Sequence, residues 1–555
     1  MKKYWPIAVI FVFSVLLVLP NLLTNKLILG ADALFHYNRF YETAMQIKNG
    51  QFSYFISIYG FQQSGRIVNA VYGPIFAYFQ GLLVLISRTW VKYQIVSNVI
   101  IYLVSALSMY KLLRYSKISQ TFSLSLAIIF MTTYAIQYWP INQGFSSWGT
   151  AFLPLCLIPI VDMVSKKEFP ILKIALSMVL LTQIHFLTAI MLSLIYLFFF
   201  IIYLWKNDDR RTVLVRLIKS AILYVILSAN VLVSIAVIYL GNNIQSPFVN
   251  RAMSDKAINT GGSYWLLFPI LLIPLAIVIM TVILKKWKKL TSFTKQVFIL
   301  CLLFLILASS IIPWTWLVSI NFPFVSLIQF PFRFFVPVTV LFFLLVGLIL
   351  EQCQKKVRIY SLLTIMTIVC VLQTMTNTTQ LLNQWENQTF TSLHAFIKTS
   401  PDVTRQAFFS NDLESGLVDF EKSTPDYLPV WKQNSLNKYK RYEQDILNNQ
   451  DGFTKTVSNG KLVIEWQSTT EELKTLPVIL YKNTVMSFNN PAIQTQTISD
   501  IGTPTVQQVI GKNQVIISYQ PPFYFYIAIL ASFFGWIMVI QQIIFKKLKK
   551  KSSNQ

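Results

Sequence analysis

The residues best suited to chemistry cluster in one short segment, Gly30-Ala-Asp32-Ala-Leu-Phe-His36-Tyr-Asn-Arg39-Phe-Tyr-Glu42. Drawn as a helix, Asp32, His36 and Arg39 follow i, i+4, i+7 and share one face, with Phe35 and Phe40 on flanking apolar faces. A carboxylate can take the proton of an attacking hydroxyl. A guanidinium beside it can hold a phosphate through two parallel N–H bonds. The segment therefore reads as a general base with a phosphate-binding partner. The same pattern also describes an amphipathic helix at a membrane surface, its polar residues merely solvated.

Three other patches stand out. Tyr72-Gly73-Pro74 places an aromatic before a Gly-Pro helix start, although Pro in a first turn is also ordinary helix punctuation. Gln183-Ile-His185-Phe-Leu-Thr188 puts an imidazole inside a long apolar stretch, where it serves either a ligand or a neighbouring helix. Gln329-Phe-Pro331-Phe-Arg333-Phe-Phe carries a lone Arg at the lip of an apolar run, placed either to grip a phosphate or to snorkel toward lipid headgroups. Arg66 is a further cation of the same first loop. Trp139, Trp148, Trp314 and Trp316 are expected in the interfacial aromatic belt. There is no phosphate loop, dinucleotide fingerprint or nucleophile elbow.

These patches must be positioned by a membrane protein. The 555 residues are 54% hydrophobic and only 12% charged, with a mean hydropathy of +0.54. Soluble domains carry about 25% charged residues. Apolar runs of bilayer-crossing length recur: the opening run to Leu23, taken as an uncleaved signal anchor, then roughly 67–87, 94–113, 121–138, 150–164, 171–186, 188–205, 214–240, 264–284, 296–312, 334–351, 358–375 and 523–545. The expected fold is an all-α polytopic membrane protein of about 12–14 transmembrane helices. The net charge of +25 resides in short Lys/Arg clusters between apolar runs, such as Arg210-Arg211, Lys285 to Lys289 and Lys546 to Lys551. That is the positive-inside pattern and argues against a nucleic-acid partner.

Of the 22 acidic residues, 14 fall between Asn377 and Gln520. This stretch, 376–520, is expected outside, with 139–149, 241–263, 313–333 and the first loop 24–66. Segment 313–333, interrupted by Pro313, Pro323 and Pro331, reads as a re-entrant or interfacial loop. Alternating runs at 461–466, 476–481 and 514–519 predict a small β-sandwich before the last helix. The expected division is a membrane domain over 1–375, an extracytoplasmic domain over 376–520, and a last helix with basic cytoplasmic tail over 521–555. Cys156, Cys301, Cys353 and Cys370 lack metal or disulfide spacing and read as buried thiols.

In order and spacing, the four patches resemble the GT-C membrane glycosyltransferases. They are more closely similar to the YfhO-type and 6-pyruvoyl-tetrahydropterin-synthase-related bacterial membrane proteins. The resemblance implies transfer of a sugar from a polyprenyl-phosphate donor to an envelope polymer or glycolipid acceptor, at the outer face of a bacterial plasma membrane. It implies Asp32 as the base, with His36, Arg39, Tyr72, His185 and Arg333 binding substrate. A lateral groove between helices would hold the donor's lipid tail. A divalent metal is possible in such enzymes, but the second acid is distant here: Glu42 lies ten residues on, and Asp255 sits in another loop. The competing expectations are a non-enzymatic transporter or flippase for lipid-linked saccharides, and an envelope assembly factor on the same scaffold.

Overall fold

The computed structural model describes residues 4–245, 248–354, 356–385, 394–432 and 437–552. Its helical part runs α1 (Trp5–Leu17), α2 (Ala33–Asn49), α3 (Pro74–Ser87), α4 (Trp90–Tyr115), α5 (Gln120–Asn142), α6 (Ser146–Lys166), α7 (Ile171–Ile184), α8 (Phe186–Trp205), α9 (Arg210–Leu227) and α10 (Ala229–Gly241). It continues with α11 (Leu272–Lys286), α12 (Ser292–Ala308), α13 (Pro331–Glu351), α14 (Lys356–Asn383) and the last helix α15 (Phe523–Ser552).

Among the described residues, seven helices (α4, α5, α6, α8, α13, α14 and α15) are long and apolar enough to cross a bilayer. The pair α9 and α10, expected as one run over 214–240, is bent by 71° and makes an eighth if counted as one broken span. Helices α1, α3, α7 and α12 are apolar but shorter than 18 residues. The 12 to 14 read from hydropathy also includes these shorter apolar helices and the bent pair. On α8, Phe186, Ile190, Leu194, Leu197 and Ile201 are all 41–53% exposed at a spacing of three to four residues. Ile527, Leu530, Phe534 and Met538 repeat this on α15. Continuous apolar stripes of that kind are stable only against a nonaqueous neighbour, so the molecule fits a multi-pass membrane protein.

The β-rich unit contains a short pair, β1 (Ala395–Ile397) with β2 (Phe420–Lys422), and two larger sheets. One has the order β3 (Phe453–Ser458), β4 (Lys461–Ser468), β9 (Gly511–Tyr519), β6 (Thr484–Phe488). The other runs β5 (Leu473–Thr475), β8 (Pro504–Gln507), β7 (Gln494–Ile498). Leu462, Ile464, Val515 and Ile517 of the first sheet share a core with Val506 of the second. Phe55, Ile56, Ile58, Ile67 and Val71 of the first loop join that same core. The first loop and the β-rich unit therefore lie on one side of the helical layer.

Strands appear at 461–466 and 514–519, as alternation predicts, but not at 476–481. Pro477 has no N–H to donate to a ladder. Leu476, Val478 and Ile479 are instead fully buried, and Ile479 N–H donates to the Ser64 carbonyl of the first loop at 2.8 Å. The run expected over 67–87 becomes helical only at Pro74, because Gly73 adopts φ +72°, a left-handed conformation that breaks the helix before it. Segment 313–333 forms short turns, Trp314–Ser319 and Val325–Ile328, in line with its prolines. Trp139, Trp148 and Trp314 are at most 4% exposed and pack inside the protein rather than in a lipid-facing belt; only Trp316, 56% exposed, suits that place.

Candidate active site at the junction of helices and β-rich unit

Asp32 is the N-cap of α2, and its side chain caps nothing. Its backbone N–H donates to the Asn142 carbonyl, 3.1 Å away. Gly30, two residues earlier, is pressed against the same strand of backbone. A Cβ there would stand 2.3 Å from the Asn142 Cα, which explains the glycine beside the acid. The turn after α5 thereby sets the position of Asp32.

His36 and Arg39 lie one and two turns on and are buried beneath Asp32. Arg39 Nη1 sits 3.0 Å from His36 Nδ1, its Nε donates to Asn69 Oδ1 at 3.1 Å, and Nη2 donates to the Tyr72 carbonyl. Its guanidinium also lies 4.2 Å from the Tyr72 ring centre. The His36 ring stacks on Phe145 at 4.8 Å. Burial, with help from the Arg39 and His185 charges, holds its pKa well below the usual value. A neutral imidazole that accepts on Nδ1 carries its proton on Nε2.

Tyr72 is the hub that joins the patches. Its ring lies 6.2 Å from Phe35, 6.0 Å from His36, 6.3 Å from His185 and 6.2 Å from Tyr427. Gly73 next to it would meet the Gln183 carbonyl at 2.3 Å if it bore a Cβ. His185 occupies the extended break between α7 and α8, and its Nδ1 is 2.8 Å from Thr188 Oγ1, which leaves Nε2 unengaged. Gly73→Ala meets both the left-handed backbone and this contact, so an expected loss of stability of about 1–3 kcal/mol follows. A thermal midpoint of the purified variant equal to that of the parent would show that the two segments do not depend on this approach.

Arg333 comes from the short 3₁₀ turn that opens α13. Its Nη1 donates to the Ile328 carbonyl (3.1 Å) and Gln329 Oε1 (2.9 Å), and its plane covers Phe330 at 5.0 Å. Among the described residues no carboxylate pairs with it, yet its charge acts on Asp32 and on His185. Phe335, two residues on, lines with Leu266, Leu272, Phe298, Phe342 and Leu345 an apolar cavity of about 300 Å³ between α11, α12 and α13.

The β-rich unit contributes residues that the sequence patterns did not single out. Lys422 Nζ donates to the Ala31 carbonyl, and the Lys422 and Asp426 charges both act on Asp32. Tyr427, at φ +64°, is held by Tyr481, whose hydroxyl donates to its carbonyl at 3.0 Å. Arg66, fully buried, donates to Thr424 Oγ1 (2.8 Å) and the Asp426 carbonyl (2.6 Å), and so ties this segment to the first loop. Tyr138 joins through the Asp32 and Arg333 charges that reach it. Nothing local distinguishes Lys422, Asp426 or Tyr427 in the sequence; only the shared core brings them here.

Neither Glu42 nor Asp255 is among the charges that act on Asp32. The Glu42 carboxylate is buried and accepts from the N–H groups of Ile58, Tyr59 and Gly60 at 2.6–3.0 Å, which folds the first loop onto α2. Asp255 belongs to the 3₁₀ turn Met253–Lys256. The acid whose charge bears on Asp32 is Asp426. Among the described residues, no group of three His, Cys, Asp or Glu side chains is placed to hold a metal ion.

Asp32, Tyr72, His185, Arg333, Lys422 and Tyr427 are all part-exposed, while His36 and Arg39 lie buried below them. Burial dominates at Asp32 and, against the opposing pull of Lys422 and Arg333, raises its pKa from 3.8 to about 6. The arrangement can accept a proton near neutral pH, and Arg333, whose Nη1 is engaged by Ile328 and Gln329, keeps its Nε and Nη2 without a hydrogen-bond partner among the described residues. No family model matches the chain, and no curated protein or solved structure is significantly similar to it.

Proposed function

We propose that this protein is a membrane glycosyltransferase that moves a sugar from a polyprenyl-phosphate donor to a cell-envelope acceptor. The observation that carries the reading is a part-exposed carboxylate, Asp32, that shares a junction with Tyr72 and His185 and lies near enough to feel the Arg333 charge, with an apolar cavity lined by Phe335 two residues beyond that Arg. In this scheme Asp32 takes the proton of the acceptor hydroxyl, whose oxygen forms a bond to C1 of the sugar. The bond from C1 to the phosphate oxygen breaks, and the electron pair leaves with the polyprenyl phosphate. Arg333 meets that phosphate, and the cavity beside Phe335 and Phe342 takes the start of the lipid tail. Arg39 and His36 fix α2 and the Tyr72 carbonyl beneath the reacting groups, while Lys422 and Asp426 border the acceptor side.

The reading places the β-rich unit outside and the C-terminal lysines in the cytoplasm, in keeping with the acidic enrichment of 376–520 and the basic tail. In a background with Cys353 changed to Ser, an impermeant maleimide applied to intact cells should label Gln450→Cys and spare Ser552→Cys. The reverse pattern would remove the outer site. The activity itself is tested by incubating membranes that hold the protein with a radiolabelled polyprenyl-phosphate hexose and envelope acceptors. Label should move to the acceptor fraction only when the protein is present. Export of saccharide without any transfer would point to the flippase reading instead.

A further inference from the structure

A second cleft lies at the opposite end of α13 from Arg333, roughly 27 Å away along the intervening 18 residues at 1.5 Å each. It encloses about 550 Å³ and is lined by Lys286 at the end of α11, Gln352, Cys353 and Gln354 in the turn after α13, and Arg358 and Ile359 in the first turns of α14. The two cations enter from different helices. Neither has a carboxylate partner among the described residues. The nearest acid in the chain, Glu351, is already engaged by Lys356 Nζ at 2.5 Å and by the Ser119 N–H at 2.7 Å, so it does not neutralise the cleft. The amino end of the 28-residue α14, whose Lys356 N–H donates to the Gln354 carbonyl at 3.0 Å, adds the positive end of its dipole.

The surroundings of the cleft are those of a lipid rather than of a soluble anion. Leu362 and Ile365, four and seven residues beyond Arg358 on the same face of α14, are 60% and 59% exposed, so an apolar track leads from the cleft along α14. Gln352 and Gln354 supply amide donors at the headgroup level. We infer that this cleft binds the phosphate headgroup of an anionic phospholipid, with the acyl chains lying along Leu362 and Ile365. The site is separate from the Asp32 site and does not depend on the glycosyltransferase reading.

The test uses the full-length protein in detergent, with dioleoyl-phosphatidylglycerol and dioleoyl-phosphatidylcholine as probes and native mass spectrometry to count retained lipid. Phosphatidylglycerol should be retained at concentrations at least tenfold lower than phosphatidylcholine. Lys286→Gln with Arg358→Gln should erase most of that preference, because each cation near a lipid surface is worth about fivefold to tenfold. Arg358→Gln alone should erase part of it, and Lys286→Arg with Arg358→Lys should keep it. Lys285→Gln with Lys288→Gln removes the same charge from the same cluster outside the cleft and should leave retention unchanged. Three results would overturn the assignment: equal retention of the two lipids, equal loss in the two double-glutamine variants, or displacement of the lipid by inorganic phosphate at matching concentration, which marks a soluble-anion site.

Discussion

Asp32→Asn should leave the amount of protein in the membrane unchanged and lower sugar transfer by about 100-fold or more, the scale of a lost general base. The amide keeps the shape of the carboxylate. It cannot take a proton. Because the Asp32 side chain caps no helix and, among the described residues, pairs with no neighbour at salt-bridge distance, its neutralisation removes chemistry without removing a bond seen there. The pH profile supplies an independent check. A base must be ionised to act, so transfer should rise as pH climbs through about 6 and level off above it. The stability sign is opposite. The unfolded carboxyl ionises near 3.8 and the folded one near 6, so the folded state holds an extra proton between these values and loses stability as pH rises through that window. An Asp32→Asn protein that becomes more stable than the parent at pH 7 while losing transfer would meet both expectations. Wild-type transfer by that variant would end the assignment.

Arg333→Lys should be nearly as damaging as Arg333→Ala, each lowering transfer by about 100-fold. The guanidinium is held by Ile328, Gln329 and Phe330 through one edge and one face, which leaves its other N–H groups directed away from these partners. Such a fork matches two oxygens of one phosphate; an ammonium on a flexible stem does not. Full activity in the Lys variant would mean that Arg333 only anchors the opening of α13 at the headgroup level. The kinetic split is informative as well. In the proposed scheme Arg333 contacts the donor, so its loss should raise the KM for a short-chain polyprenyl-phosphate sugar as well as lower kcat, whereas Asp32→Asn should act on kcat alone.

The remaining charged groups of the site divide by burial. Arg39 and Arg66 are both sealed from solvent and bonded to neutral oxygens, so their cost of burial is met by hydrogen bonds and ring faces rather than by counter-ions. They hold other elements in place: Arg39 joins α2 to the Tyr72 segment, and Arg66 joins the first loop to Thr424 and Asp426. Sequence spacing could mark Arg39 as sharing a face with His36. It could not show that both side chains are sealed inside the protein below Asp32.

What the sequence determined by itself is local. Composition and run length point to a multi-pass membrane protein, because a helix of about 20 apolar residues is stable in a bilayer whatever surrounds it. The helix of Asp32, His36 and Arg39, the Gly-Pro start at Pro74 and the strands at 461–466 and 514–519 are also legible, since each follows from periodicity, punctuation or backbone restriction within a few residues. Tertiary structure decided everything that depends on distance between segments. It placed Tyr72 between His36, His185 and Tyr427, turned Glu42 into a loop anchor, and buried Trp139 and Trp148 inside. It bent 214–240, pulled 476–481 out of the ladder, and carried Lys422 and Asp426 across almost 400 residues of chain to Asp32. The physical reason is that burial and electrostatic field are properties of neighbours in space. A residue's own type and spacing state what it can do, and the packing of remote elements states what it does it to.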